Sequence, residues 1–105
     1  MRELKEHLDR YQIVDVREPY EWEVGRIDGS VLIPLNDLLA GREQGQLDDS
    51  RPIAAVCKVG NRSELAAVML RARGYEAENL EGGLDAWAAE GYPLSAPDGG
   101  PGSVL

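Results

Sequence analysis

One cysteine, one histidine and a shortage of basic residues set the first limits on this sequence of 105 residues. A lone Cys57 excludes a disulfide within the chain and any CxxC metal or redox pair, and it leaves no second thiol to resolve a sulfur intermediate internally. That usage fits a reducing compartment. His7 belongs to an opening stretch of helical spacing, where a solvated surface role outweighs a catalytic one, so a Cys-His dyad is set aside. Eleven Lys and Arg against 19 Asp and Glu give a net charge of -8, which disfavours nonspecific attraction to nucleic acid or anionic membrane. No apolar run approaches the roughly 20 residues that cross a bilayer, and Met1 to Glu6 lacks the basic-then-apolar order of a secretion signal. The expectation is a soluble cytoplasmic protein. The carboxylates are dispersed and make no recognisable metal site, no cofactor is implied, and no internal repeat is evident.

What is present is a pattern of alternating elements. With 43% hydrophobic and 29% charged residues, the length suits one compact domain. Leu4 and Leu8 set a helical spacing over Arg2 to Arg10, and Gln12 to Val16 follows as a β-rich run. Pro19 opens a short helix over Tyr20 to Val24, and Gly25 and Gly29 flank a turn into the short strand Val31 to Ile33, closed by Pro34. Leu35, Leu38 and Leu39 share a helical face, and Arg42 to Pro52 has no apolar period and is expected as surface loop. Ile53 to Val56 is a buried strand. Ser63 to Arg73 is a helix whose core stripe is expected at Leu65, Ala66, Met69 and Leu70, stopping at Gly74. Tyr75 to Leu80 is a strand, Gly82-Gly83 a turn, and Leu84 to Glu90 a helix with Leu84, Trp87 and Ala88 on one side. The domain is thereby placed over residues 1–95. Residues 96–105, rich in Pro and Gly, carry too little apolar surface to offset their ordering entropy and are expected to form a flexible tail. Such alternation predicts an α/β fold, a mainly parallel sheet with helices on both faces, whose chemistry gathers at the strand C-terminal ends.

Cys57 stands at that position, directly after the best-defined strand and before a helix. Backbone N–H groups converge on an anion at such a junction. Helix N-termini and neighbouring cations bring a thiol from about 8.5 into the range of roughly 3.5 to 7.5, and Lys58 and Arg62 offer cations within the same short loop. A buried structural cysteine is the competing reading, because cysteine is among the residues most often found in cores. Asp15 and Arg17 suggest a structural ion pair at a strand end rather than an acid/base couple, with some contribution of Arg17 to the local field. Gly82-Gly83 is better explained by turn chemistry than by phosphate binding, and Trp22 and Trp87 by packing than by a substrate platform.

Three segments together resemble the rhodanese family of sulfurtransferases: Val14-Asp15-Val16-Arg17-Glu18 with Ile27-Asp28-Gly29 and Ile33-Pro34, the loop Cys57 to Ser63, and Leu80 to Trp87. Their order and spacing cover roughly Ile13 to Leu94. The resemblance implies a single rhodanese-like domain in which Cys57 accepts a sulfane sulfur from thiosulfate or a related donor. It also implies that Lys58, Val59, Gly60, Asn61, Arg62 and Ser63 surround the bound anion. The acceptor would be a thiol, cyanide or a sulfur-carrier protein. Two departures stand out. Arg26 occupies the place where the family often has histidine, so no role of that imidazole carries over. The short strand that precedes the opening helix in the family has no counterpart, which leaves a fragment, a tail domain of a longer protein and a trimmed variant all open.

Two other functional classes compete with a stand-alone sulfurtransferase. Cysteine phosphatases and arsenate reductases also bracket an anion loop with a cysteine and an arginine. Here only four residues, Lys58 to Asn61, separate Cys57 from Arg62, one fewer than in those phosphatases, and the tighter ring suits a sulfur atom better than a tetrahedral phosphate. A sulfur-relay or binding module acting with a partner enzyme is the second alternative.

Overall fold

The computed structural model describes residues 8–105. A 3-10 turn over Leu8–Arg10 leads into β1 (Gln12–Asp15), α1 (Pro19–Trp22), β2 (Val31–Leu32), α2 (Leu35–Leu39), β3 (Ile53–Val56), α3 (Asn61–Ala72), β4 (Ala77–Asn79) and α4 (Gly83–Ala89). The four strands form one parallel sheet in the order β2-β1-β3-β4, with Val14 beside Val31 and Ala55, and Ala55 beside Asn79. β3 therefore lies between two neighbours, and all four of its residues are buried.

Alternation along the strands divides the core between the two faces of the sheet. Ile53, Ala55 and Cys57 join Val14, Leu38, Ala66 and Leu70 on the side covered by α2 and α3. Ala54 and Val56 join Ile27, Leu80, Leu84, Trp87 and Leu94 on the side covered by α4. Helices on both faces and a parallel sheet agree with the expected α/β architecture. Trp87 packs as expected, stacked on Tyr92 at 4.5 Å with its indole N–H donated to the Pro93 carbonyl at 2.8 Å.

Several local expectations are corrected. Residues 1–7 of the expected opening helix, His7 among them, lie outside the described residues. The main helix begins at Asn61 rather than Ser63, so Asn61, Arg62 and Ser63 form its first turn. Its buried stripe is Ser63, Ala66, Ala67 and Leu70, while Leu65 faces solvent at 45% exposure. The larger side chain lies outward because small residues let α3 approach the sheet closely. In α4 the buried face is Gly83, Leu84 and Trp87, and Ala88 is exposed. The polar connection 42–52 contains one deeply buried group: Glu43 accepts from Arg73 at 2.8 Å, and Arg73 also donates to the carbonyls of Leu38 and Leu39. That pairing ties the connection to the end of α3.

The segment expected to be a flexible tail is placed against the domain instead. Ser95 bridges to Arg26 on one side and Pro101 on the other, and the Ser103 N–H donates to Val24 at 3.1 Å. Val104 packs on the core beside α4. Composition undercounted this segment because its hold comes largely from backbone hydrogen bonds, which glycine and proline content does not reveal. Gly25 makes the approach possible: a Cβ there would lie 2.3 Å from the Ser103 carbonyl oxygen. A recess of about 540 Å³ lies between this segment and α4, lined by Tyr92, Leu94 and Val104 among others, and no residue of the Cys57 loop lines it.

Candidate functional site

The site is assembled where β3 ends. Cys57 follows the last residue of β3, and Gly60 turns the chain into α3 at φ +107°, a left-handed conformation that glycine adopts without penalty. The turn folds the backbone over the thiol. The Gly60 N–H donates to Cys57 Sγ at 3.1 Å, the Ser63 N–H at 3.4 Å and the Ser63 hydroxyl at 3.2 Å. Burial of Cys57 opposes ionisation, yet the Ser63 hydroxyl and the amides of Ser63, Gly60 and Val59 outweigh it and hold the thiol below its ordinary range. The cations that the sequence nominated for this task are not among the leading causes.

Both of those cations are engaged elsewhere. Arg62 forms a two-pronged pair with Glu21 of α1, Nη1 to Oε1 at 2.7 Å and Nη2 to Oε2 at 3.0 Å. Lys58 Nζ donates to the Leu105 carbonyl at 2.8 Å and lies 3.5 Å from Asp85. Val59 is half-exposed and Asn61 exposed, so their side chains face outward, while the Gly60 amide and the Ser63 amide and hydroxyl point at the thiol. Asp15 and Arg17 form a fully buried ion pair at 2.7 Å, and Arg17 Nη2 also donates to the Gly25 carbonyl at 2.7 Å.

Three further residues belong to the arrangement and were not singled out from the sequence. Asn79, at the end of β4, accepts from the Ser63 hydroxyl at 2.5 Å and donates from its amide to the Gly60 carbonyl at 3.1 Å. A hydroxyl has one proton, so Ser63 divides it between Asn79 Oδ1 and Cys57 Sγ. The available signal was the presence of asparagine, a poor strand former, at the end of a β run. Glu21 lies in the short helix that Pro19 starts, where helical spacing alone gives it no role, and it also accepts from the Glu18 N–H at 3.0 Å. Gly83, a turn residue by its sequence, is also where α4 meets the loop: the amides of Leu84 and Asp85 donate to the carbonyls of Cys57 and Lys58 at 2.8 and 3.0 Å.

That junction has no room for a side chain. Gly83 has φ +60°, and a Cβ would lie 2.5 Å from the Cys57 carbonyl oxygen and 2.4 Å from that of Lys58. Gly83→Ala is expected to lower stability by about 2 to 4 kcal/mol, combining overpacking with the left-handed penalty, and urea denaturation checks it. A loss under about 0.5 kcal/mol, within the ordinary spread for surface substitutions, would mean the contact relaxes freely.

The depressed thiol gives a second expectation. A thiolate held by hydrogen bonds persists as pH falls through the ordinary thiol range, so the alkylation rate of Cys57 by iodoacetamide should have its inflection below about 8.5. The inflection should move upward in Ser63→Ala, which removes the hydroxyl donor. Because Cys57 is covered, the absolute rate also reflects opening of the loop, and the inflection is the quantity to compare.

The parallel α/β sheet thus presents one hydrogen-bonded thiol at the C-terminal end of an inner strand. Comparison with known proteins gives the family. The rhodanese-like domain model matches residues 1–90, and the chain belongs to that family. It is 36% identical over 96 residues to a protein of Mycobacterium tuberculosis named probable adenylyltransferase/sulfurtransferase MoeZ, covering 88% of this chain and 24% of that protein. The chain thus spans about a quarter of that relative's length. A sulfurtransferase of Allochromatium vinosum is 34% identical over 88 residues, covering 83% of this chain and 80% of that one. Among solved structures, a rhodanese-related protein of Thermoplasma volcanium superposes with a TM-score of 0.78 at 38% identity, over 87% of this chain and 89% of the other. A rhodanese-like domain protein of Staphylococcus aureus superposes at 0.77 and 35% identity, over 90% and 92%. No helix among the described residues is long and apolar enough to cross a membrane.

Proposed function

We propose that the protein is a sulfurtransferase that carries sulfane sulfur as a persulfide on Cys57. The observation that supports this best is the set of donors around Cys57 Sγ: two backbone amides and the Ser63 hydroxyl, all within 3.4 Å. Such a cradle stabilises a sulfur-centred anion both before and after transfer. The thiolate attacks the outer sulfur of the donor, a Cys57 Sγ–S bond forms, and the donor S–S bond breaks with its electron pair leaving on sulfite when the donor is thiosulfate. An external nucleophile then takes the terminal sulfur and the Cys57 thiolate is regenerated. With a single cysteine that acceptor comes from outside the chain: a thiol, cyanide in an assay, or a sulfur-carrier protein. Lys58, Val59, Gly60, Asn61, Arg62 and Ser63 form the loop around the transferred sulfur, with Gly60 and Ser63 supplying the donors and Arg62 holding the first turn of α3 to α1. Asp15 and Arg17 support the strand end beneath. The lone thiol and the chemistry of a persulfide suit a reducing, cytoplasmic setting.

The test is intact mass of the reduced protein after brief treatment with thiosulfate, before and after cyanide. One added sulfur atom that cyanide removes is expected; no addition from any sulfane donor would overturn the reading.

A relay role within a larger assembly is favoured by one observation. The chain covers only 24% of a relative whose name pairs adenylyltransferase with sulfurtransferase. Adenylylation activates a carboxylate toward a sulfur nucleophile, so in the corresponding reaction class the terminal sulfur of the Cys57 persulfide attacks the activated carboxylate of a carrier protein, AMP leaves, and external thiols reduce the resulting acyl disulfide, releasing the thiocarboxylate and restoring the Cys57 thiol.

A further inference from the structure

The cations of the Cys57 loop are paired, and one buried carboxylate holds Arg62. Glu21 is 5% exposed and meets the Arg62 guanidinium with both of its oxygens, at 2.7 and 3.0 Å. Lys58 is shared between Asp85 and the Leu105 carbonyl, and Arg17 is enclosed with Asp15. The groups that touch the sulfur itself are neutral: two amides and a hydroxyl. Neutral donors stabilise one negative charge on sulfur. They do little for a donor that arrives with two further negative charges, as thiosulfate does, in a chain whose net charge is already -8.

We infer that Glu21 is a specificity-determining residue: by cancelling the Arg62 charge beside Cys57 it turns the site toward a sulfane donor of low charge, an alkyl persulfide, and away from dianionic thiosulfate. The inference rests on the persulfide reading of Cys57. With an alkyl persulfide R–S–SH the thiolate of Cys57 attacks the terminal sulfur. The Sγ–S bond forms and the donor S–S bond breaks. The electron pair leaves on R–S and takes up the proton of the transferred S–H, giving R–SH and the Cys57 persulfide anion; no outside oxidant or reductant is needed. The position of Glu21 fits a role in charge rather than contact with substrate, since it sits on α1 behind Arg62 and is buried there. Arg62 adjoins Ser63, whose amide and hydroxyl reach Sγ, and Glu21 itself, although burial opposes its ionisation, is held below the usual carboxylate range by its bonds to Arg62 and the Glu18 amide.

The test compares wild type, Glu21→Gln, Arg62→Gln and the double variant, using thiosulfate and 2-hydroxyethyl hydropersulfide as donors. Alongside turnover, the ratio of Cys57 alkylation by iodoacetate to that by iodoacetamide reports the local potential without any sulfur chemistry. Wild type is expected to have the higher kcat/KM with the hydropersulfide. Glu21→Gln should raise kcat/KM for thiosulfate about five- to tenfold, mainly through KM, change the hydropersulfide value by less than about threefold, and raise the iodoacetate ratio to a similar degree. Arg62→Gln should lower that ratio, and the double variant, with the wild-type net charge, should return to within about twofold of wild type. If Glu21→Gln does not fold, the fall in Arg62→Gln and its recovery in the double variant decide the point. An iodoacetate ratio that ignores all three changes overturns the masking, and a wild type that prefers thiosulfate overturns the donor preference. If neither donor loads sulfur on Cys57, the donor preference falls together with the transfer reading, and the alkylation ratio still decides the masking alone.

Discussion

Cys57→Ser is expected to reduce sulfur transfer to cyanide by at least about 10³-fold while leaving the fold in place. Serine differs from cysteine by one atom, and the site already offers donors to a hydroxyl oxygen: the Gly60 and Ser63 amides that now point at Sγ. The buried oxygen therefore keeps partners, and the stability change should stay within about 1 kcal/mol. Chemistry is affected far more than packing. An alcohol at neutral pH is not ionised, the described residues include no histidine to act as a base, and an oxygen nucleophile would make no persulfide. With a single thiol in the chain there is also no second nucleophile to rescue activity. The measurement is thiocyanate production beside a thermal melt of both proteins. Retained turnover with an unchanged melt would remove Cys57 from the mechanism; loss of both would show a cysteine that serves the core.

The position of Cys57 was legible because it depends on local pattern. A short apolar run followed by a loop and a helix places a residue at a strand C-terminal end whatever the remaining detail, and the parallel sheet supplies the rest. The donor set was legible only in kind. Convergent amides were expected, and Gly60 and Ser63 provide them, but Lys58 and Arg62 were expected to act on the thiol as well. Sequence spacing places a cation in the loop without revealing which anion claims it. The partner of Arg62 is Glu21, 41 positions away, and the hydrogen-bond partners of Ser63 and Gly60 at Asn79 are likewise brought in by the sheet. The same limit explains the C-terminal segment. Its contacts with Val24 and Lys58 come from residues far earlier in the chain, so a reading of its own composition had no access to them. The α3 stripe failed for a different reason: Leu65 fits a helical period as well as Ala67 does, and only the close approach to β3 decides between them.

The buried pair beneath the site carries the largest expected effect on stability. Arg17 donates from Nε and Nη2 to both oxygens of Asp15 at 2.7 to 3.1 Å, and its backbone amide donates to the same carboxylate. Both side chains have no exposed surface, so neither can be hydrated in place. Asp15→Ala would leave the guanidinium enclosed with the Gly25 carbonyl as its remaining partner among the described residues and with Nη1, which already lacks one, still unpaired. An uncompensated buried charge of this kind is expected to cost about 3 to 5 kcal/mol. The position of the pair sharpens the effect. Asp15 ends β1, whose backbone pairs with both β2 and β3, and Arg17 reaches the Gly25 carbonyl in the segment that receives Ser103. Local loosening would therefore extend to the C-terminal segment. Replacing both partners with apolar residues, Asp15→Leu with Arg17→Met, should recover much of the loss, because the cost lies in the stranded charge rather than in the absence of an ion pair. Urea denaturation of the single and double variants measures both quantities. A double variant no more stable than Asp15→Ala would show that the strand end needs these hydrogen bonds specifically, and that the pair fixes the geometry beneath Cys57 rather than balancing two buried charges.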